Sequence, residues 1–434
     1  MRVAVKAASV AVSVVVPALH EGPNLSRLLP LLRESLDPLE ETWEVLVVDG
    51  NSPDGTCDIV TQAGESFRYV CEETPGYGRA ILRGISEAQG EFVITMDADL
   101  SHPAEFIRHL WGARQDADIV IASRYVPGGK ADQPWFRYFL SRVLNSFFAV
   151  GLSIPVKDLS SGFRLYRRRS LEGIDLQFDN FVVLVEILLK AFARGLRIKE
   201  VPFHYQPRVY GGSHARILRF GMDYLHLFHR MWWIRNSVEF PDYDWRAYNS
   251  RIWFQRYWQR ERHRIVMEFT PQLVTTCDVG CGSSRILADL PHAVGIDMRH
   301  DKLAFMRRTN RLLCQANGLQ LPFGNRQFEC VICSEVIEHI PDENGRLLDE
   351  LTRILKPGGT LVIGTPDYGG WQWPVIEWIY GKVAPGAYAD EHCTFYTFDS
   401  LKSALIGRGY DVEDYGFICK GELILKAVYR PARP

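Results

Sequence analysis

Long apolar runs are missing from this chain: no segment reaches 18 uninterrupted apolar residues, so none reads as a membrane-spanning helix. A surplus of charge is missing too. The formal net charge is −2, which gives no global footprint for nucleic acid and leaves any anionic partner to local basic groups. No nucleic-acid partner is expected. The cysteines are nine, odd in number and scattered, which argues against a disulfide framework and suits a reducing cytoplasm. Cys330 and Cys333 form a CxxC inside the strand-like "FECVICSE". Residues three apart on a strand point to opposite faces, so that pair reads as structural. No internal repeat or low-complexity tract is present.

What is there is a double α/β rhythm. A chain of 434 residues exceeds what one hydrophobic core usually serves, so two domains are expected. The start, "MRVAVKAASVAVSVVVPALHEGPNL", has the basic-then-apolar look of a signal peptide. Its apolar part runs straight into a strand-to-loop-to-helix transition, so it is read as a buried first strand. Residues 10–126 then alternate strand and helix through "WEVLVVDG", "RYVCEE", "EFVITMDAD" and "ADIVIASRY", a pattern that predicts a mostly parallel sheet covered on both faces. Residues 127–217 are less regular. A helical stretch from Leu218 to Trp233 aligns Leu218, Met222, Leu225, Phe228 and Trp232 and is expected to pack on its own domain, with a membrane-surface helix as the alternative. An Arg- and Trp-rich stretch at 237–262 is read as a connector and leading helix. From 263 to 434 the rhythm restarts with "TTCDVG", "AVGID", "FECVICSE", "GGTLVIGTP" and "LILKAVY".

Ligands of such sheets bind beyond the carboxyl ends of the strands, where Asp49, Asp97 and Asp99 are expected. Two aspartates spaced two apart repel one another unless a cation lies between them. A divalent metal held by hard oxygens is also what a diphosphate leaving group needs.

Alone, D-x-D is a weak motif. Here it stands in an ordered set, "VVVPALHEGPNL", "VVDGNSPDGT", "PGYGRAILRG", "MDADLSHP", "ASRYVPGG", "DLSSGFRLY" and "EVPFHYQPRVYGGS". Together these resemble the dolichol-phosphate mannosyltransferase branch of the family 2 GT-A glycosyltransferases over roughly residues 10–217. The resemblance implies a nucleotide-sugar donor near Pro17, Glu21 and Asp49 and a divalent metal (Mg2+ or Mn2+) at Asp97 and Asp99. Ser101 completes that set where the family commonly has a glutamine ligand. The resemblance also implies Arg124, Arg137 and Ser141 at the phosphate of a polyprenyl-phosphate or glycolipid acceptor, and with it peripheral contact at the inner face of a membrane. The chain departs from the family pattern at Gly50, Ser101 and His214, which replace an acid, a glutamine and a lysine.

The second ligand signature is "TTCDVGCGSSR", a strand followed by a tight Gly turn opening a helix. Asp297 ends the next strand, "AVGID", where an acid can hold ribose hydroxyls. With "LQLPFGNRQFECVICSEVIEHI" and "LTRILKPGGTLVIGTP" the set resembles class I S-adenosylmethionine-dependent methyltransferases over about residues 263–434. That resemblance implies that Asp278, Gly280, Cys281 and Gly282 cradle the methionine part of S-adenosylmethionine. Asp297 then takes the ribose, Asn317 serves the adenine loop in place of the usual Asp, and Leu319 flanks the adenine. Glu335, Glu338, His339 and His392 are candidate general bases for an oxygen nucleophile, His392 foremost.

The expected architecture is therefore a GT-A nucleotide-sugar-binding domain at 1–236, a connector helix at 237–262 and a Rossmann-like methyltransferase domain at 263–434. The expected protein is a cytoplasmic bifunctional enzyme: inverting, metal-dependent hexosyl transfer from a GDP-mannose-like donor, plus methylation of a sugar, glycolipid or small molecule. Two alternatives stay open, a non-lipid acceptor, or a first domain that serves the methyltransferase as a glycolipid-binding module.

Overall fold

The structure, a computed structural model, describes residues 10–74, 76–176, 178–206, 217–341, 345–383 and 392–431. The expectations placed on residues 1–9 and on "PRVYGGSHAR" with His214 lie outside the described residues. The chain divides into two compact units, Met1–Phe192 with Leu196–Trp232, and Trp233–Pro434 with Ala193–Gly195.

In the first unit the strands are β1 Val12–Ala18, β2 Trp43–Asp49, β3 Phe67–Cys71, β4 Phe92–Thr95, β5 Ile119–Ser123, β6 Lys130–Ala131, β7 Arg164–Arg167, β8 Ile198–Pro202 and β9 His204–Tyr205. Seven of them form one sheet in the order β3-β2-β1-β4-β7-β5-β8, and β6 pairs with β9. All seven residues of β1 are buried, because both faces of the sheet are covered. On one face the helix Gly22–Leu36 sets Leu25, Leu28, Leu29, Leu32 and Leu36 against Val12, Val14 and Val16. On the other, the helix Tyr77–Glu87 lies over Val15 and Val48 so closely that a Cβ on Gly84 would meet Val15 Cγ1 at 2.2 Å. Glycine is what that approach requires. Within this mostly parallel sheet β7 runs antiparallel to both β4 and β5. Its sequence, "RLYR", sits in the stretch that looked irregular, and Arg164 is wholly buried there, donating to the Leu159 and Leu184 carbonyls.

Two helices of this unit bear on the membrane question. Trp135–Gly151 buries only Asn145 and Phe148 and exposes Trp135, Phe136, Phe139, Leu140, Val143, Phe147 and Val150. The helix Ile217–Asn236 packs Phe228 against Phe147 and Phe148. Its buried face includes Leu227 and Met231, whereas Leu225, expected inside, is 60% exposed. Among the described residues no helix is long and apolar enough to cross a membrane.

The second unit has β10 Thr276–Val279, β11 Ala293–Asp297, β12 Leu312–Gln315, β13 Phe328–Ser334, β14 Leu355–Pro366, β15 Tyr410–Ile418 and β16 Glu422–Tyr429, ordered β12-β11-β10-β13-β14-β16-β15. Strand β16 is antiparallel to β14 and β15. Strands β12 and β15 were not foreseen. Cys330 and Cys333 are buried on opposite faces of β13, in separate cores, as the pleat demands. The Arg- and Trp-rich helix Trp253–Phe269 belongs to this unit and buries Trp258, Ile265, Val266 and Phe269 in one of those cores. Among the described residues no two cysteines form a disulfide.

Candidate active sites

The first site opens beyond the carboxyl ends of β1, β2 and β4. A cavity of about 360 Å³ is lined there by Pro17, Glu21, Gly50, Tyr77, Asp97, Asp99 and Phe181, among others. Strand β4 stops at Thr95, so both aspartates sit on the loop that follows rather than on the strand. Each is held in place. The Asp97 amide donates to His102 Nδ1 at 2.9 Å, and Tyr77 Oη donates to Asp97 Oδ1 at 3.1 Å. Ser101 donates both its amide (3.1 Å) and its hydroxyl (2.5 Å) to Asp99 Oδ1. Ser101, expected to complete the metal set, is fully buried and holds Asp99 in place. Two carboxylates lining one cavity are a donor set that fits a divalent cation.

Asp49 is buried behind the cavity wall. It accepts from the Ser52 amide and hydroxyl, both at 2.7 Å, and from Tyr69 Oη at 3.1 Å. Gly50 takes the position on the cavity surface. Sequence reasoning passed over three residues. His102 stacks on Phe163 at 4.8 Å, and burial holds its pKa below the ordinary value. Tyr77 and Phe181 stack at 4.0 Å along the cavity. The signal for Tyr77 was its place in "PGYGR".

The acceptor-side residues divide. Arg124 is committed: Nε and Nη2 grip Asp158 at 2.8 Å each, and Nη2 also reaches Ser160 Oγ at 2.8 Å. Burial would raise the Asp158 carboxyl, but Arg124 outweighs it and holds it below its usual range. Arg124 is thus half of a buried ion pair before any phosphate arrives. Arg137 is exposed on the helix Trp135–Gly151, and Ser141 on the same helix accepts from Tyr125 Oη at 2.7 Å.

The second site is a cavity of about 560 Å³ at the carboxyl ends of β10, β11 and β13. Asp278, Gly280, Cys281, Gly282, Asp297 and Asn317 all line it. Gly280 has φ +73°, and a Cβ there would fall 2.1 Å from Val336 Cγ2. A side chain would fill the cradle. Asp278 is buried, its Oδ2 has no hydrogen-bond partner among the described residues, and burial followed by the charge of Asp297 pushes its pKa up to about 7. An unpartnered carboxylate aimed at a cavity fits a cationic ligand such as an amino-acid ammonium. Asp297 accepts from the Gly282 amide at 2.8 Å and from the Arg299 amide at 2.7 Å, so it also ties the Gly turn to the next helix. Leu319, expected beside the adenine, packs instead against the core, and Ala316, Asn317 and Gly318 form the wall. The stretch read as a connector contributes Val238, Glu239, Asp244, Gln259 and Arg262 to the lining.

His392 is half-buried. Its Nδ1 lies 2.7 Å from Tyr368 Oη and 3.2 Å from Glu377 Oε1. Burial, then His339, pushes its pKa down to about 4, so the ring is neutral near pH 7. The His339 ring is 4.8 Å away and Glu338 lies fully buried beside it.

Comparison with known proteins follows this division. The family "Glycosyl transferase family 2" matches residues 13–175, and the family "Methyltransferase domain" matches residues 277–363. The chain is similar to dolichol-phosphate mannosyltransferase of Pyrococcus furiosus, with 35% identity over 46% of this chain and 58% of that one. It is similar to dolichol-phosphate mannosyltransferase of Saccharomyces cerevisiae, with 33% identity over 47% of this chain and 81% of that one. Among solved structures, glucosyl-3-phosphoglycerate synthase from Mycobacterium tuberculosis overlaps 52% of this chain and 80% of its own at 21% identity, with a TM-score of 0.40. The chain thus spans little more than half the length of the Pyrococcus relative and most of the yeast one. Through its N-terminal part the chain belongs to the dolichol-phosphate mannosyltransferase-like glycosyltransferases of family 2, and a methyltransferase domain follows in the same chain.

Proposed function

We propose that the first unit transfers a hexose, with inversion, from a GDP-mannose-like nucleotide sugar to a polyprenyl phosphate, and that the second methylates a sugar, glycolipid or small molecule using S-adenosylmethionine. The observation that carries the first half is the cavity that Asp97 and Asp99 both line, each fixed by its own hydrogen bonds. Asp97 and Asp99 would hold a divalent metal, which neutralises the charge developing on a diphosphate leaving group. The acceptor phosphate is an anion near neutral pH and needs positioning more than a general base. Arg137 suits that task, since its guanidinium is exposed among apolar side chains. Arg124 shapes the same region through Asp158.

A lipid acceptor agrees with the apolar side chains that the helix Trp135–Gly151 presents to solvent. With Arg137 and Arg142 among them, that helix reads as lying on an anionic bilayer surface, which makes the protein a peripheral one on the cytoplasmic side. In the second unit Asp278 would face the ammonium of S-adenosylmethionine, Gly280 and Gly282 its backbone, and Asp297 its ribose. We assign 237–262 to this methyltransferase unit, because five of its residues line the cavity.

The test is transfer of labelled hexose from a panel of GDP- and UDP-sugars, with Mn2+, to polyprenyl phosphate in vesicles, followed by methyl transfer to the product. Label in the lipid phase is expected for one donor. Label that appears only in water-soluble products refutes the lipid acceptor.

A further inference from the structure

Glu338 presents a puzzle that methyl-donor binding leaves unexplained. Its side chain is fully buried, and Oε2 accepts from Thr365 Oγ1 at 3.2 Å. Oε1 is buried with no hydrogen-bond partner among the described residues. His339 Nε2 comes no nearer to it than 3.9 Å, and a buried carboxylate oxygen without a hydrogen bond is costly unless a cation completes it. Two imidazoles stand beside it. The Glu338 carbonyl accepts from the Cys393 amide (2.8 Å) and the Thr394 amide (3.2 Å), and those bonds bring His392 up to His339. One ligand atom from each of Glu338, His339 and His392 lies within 4.8 Å of the other two.

The surroundings match a metal centre as well. Tyr368 and Glu377 both engage Nδ1 of His392. A carboxylate or hydroxyl on one ring nitrogen is the usual support of an imidazole whose other nitrogen binds a metal. His339 and Glu335 also line the methyl-donor cavity, and Glu335 sits at φ +59°, a strained backbone of the kind that gathers at functional sites.

We propose that Glu338, His339 and His392 bind one first-row divalent cation at the edge of the methyl-donor cavity, where it holds a hydroxyl-bearing acceptor. Two nitrogens and one oxygen favour Mn2+, Fe2+, Co2+, Ni2+ or Zn2+ over Mg2+ or Ca2+. Three protein ligands leave positions open for acceptor oxygens. A hydroxyl on the ion loses its proton to solvent more readily. The oxygen then forms a bond to the methyl carbon while the C–S bond of the sulfonium breaks, its electron pair staying on sulfur. On this account His392 is a metal ligand, not the general base. The methyl step rests on the methyltransferase reading above, whereas the metal site does not.

Mn2+ is the probe, added to the untagged full chain with S-adenosylhomocysteine and read by pulsed electron paramagnetic resonance. His102 Nε2 lies 3.8 Å from Asp97 Oδ2, so the nitrogen couplings are assigned to this cluster in Asp97→Asn, where the first-unit site is removed. Couplings from two imidazoles are expected, unchanged in Asp97→Asn and diminished in His339→Ala and in His392→Ala. Glu338→Gln keeps the side-chain shape and should weaken Mn2+ at this site at least tenfold, which covers the case of a histidine variant that does not fold. Absence of nitrogen-coupled Mn2+ in the full chain overturns the proposal, and so do couplings that survive both histidine variants. Titration of S-adenosylhomocysteine without metal separates the two readings. Binding there with no nitrogen-coupled metal refutes the metal site and leaves the methyltransferase standing.

Discussion

Replacing Asp278 with asparagine tests the cofactor reading from the energy of a single buried group. The carboxyl is buried, and its pKa rises from 3.8 to about 7 through burial and the nearby Asp297. Between those values the folded chain keeps a proton that the unfolded chain has lost. Stability therefore falls as pH rises from about 4 to about 7 and levels off above that. At 1.36 kcal/mol per pH unit the full penalty is about 4 kcal/mol, of which about 2–3 kcal/mol accrues between pH 5 and pH 8. Asparagine carries no charge and escapes this term, at the expense of about 1–3 kcal/mol for its own unpaired buried N–H groups. That expense is independent of pH. The stability of the variant relative to the parent should thus improve by about 2–3 kcal/mol from pH 5 to pH 8. In a unit of this size that corresponds to roughly 4–12 °C in melting temperature. A two-unit chain need not melt in one step, so the transition to follow is the one that S-adenosylhomocysteine displaces. The same variant loses a charged partner for the ligand's ammonium, worth about 1.5–3 kcal/mol, or roughly ten- to a hundredfold in affinity. Calorimetric titration at pH 8 measures it. A melting difference that stays flat with pH refutes the buried, unpartnered carboxylate, and unchanged affinity refutes its role toward the cofactor.

Asp297→Ala should weaken S-adenosylhomocysteine roughly ten- to a hundredfold and also lower the melting temperature, because the Gly282 and Arg299 amides lose their acceptor; titration and melting of the same sample check both. Arg124→Ala leaves Asp158 buried and uncompensated and should destabilise the first unit by about 3–5 kcal/mol in denaturant melts. Arg137→Ala should leave those melts unchanged and raise the KM for polyprenyl phosphate, and an unaltered KM removes Arg137 from the acceptor site. Asp99→Asn should abolish Mn2+-dependent sugar transfer while S-adenosylhomocysteine binding persists, and retained transfer in a radiolabel assay removes Asp99 from the metal set.

The sequence by itself determined what neighbours within a few residues control. Alternating apolar runs set the buried strands, from β1 through β5 and again from β10. The Gly turn after β10 followed from "DVGCG", since only glycine accepts the positive φ and the close Val336 side chain at Gly280. The pleat alone put Cys330 and Cys333 into separate cores. Tertiary structure decided whatever depends on the path of the chain. Strand β7 was hidden because four residues such as "RLYR" become a strand only between two partners, β4 and β5. Arg124 looked available for a phosphate until Asp158, 34 residues away, claimed it. The contact of the Ser101 hydroxyl with Asp99 likewise depends on how the loop after β4 turns back. Glu338, His339 and His392 meet only because the Cys393 and Thr394 amides bond the Glu338 carbonyl. Local spacing fixes which face a side chain leaves from, but which charge it meets there is set by contacts between segments distant in sequence, and no short-range pattern encodes those.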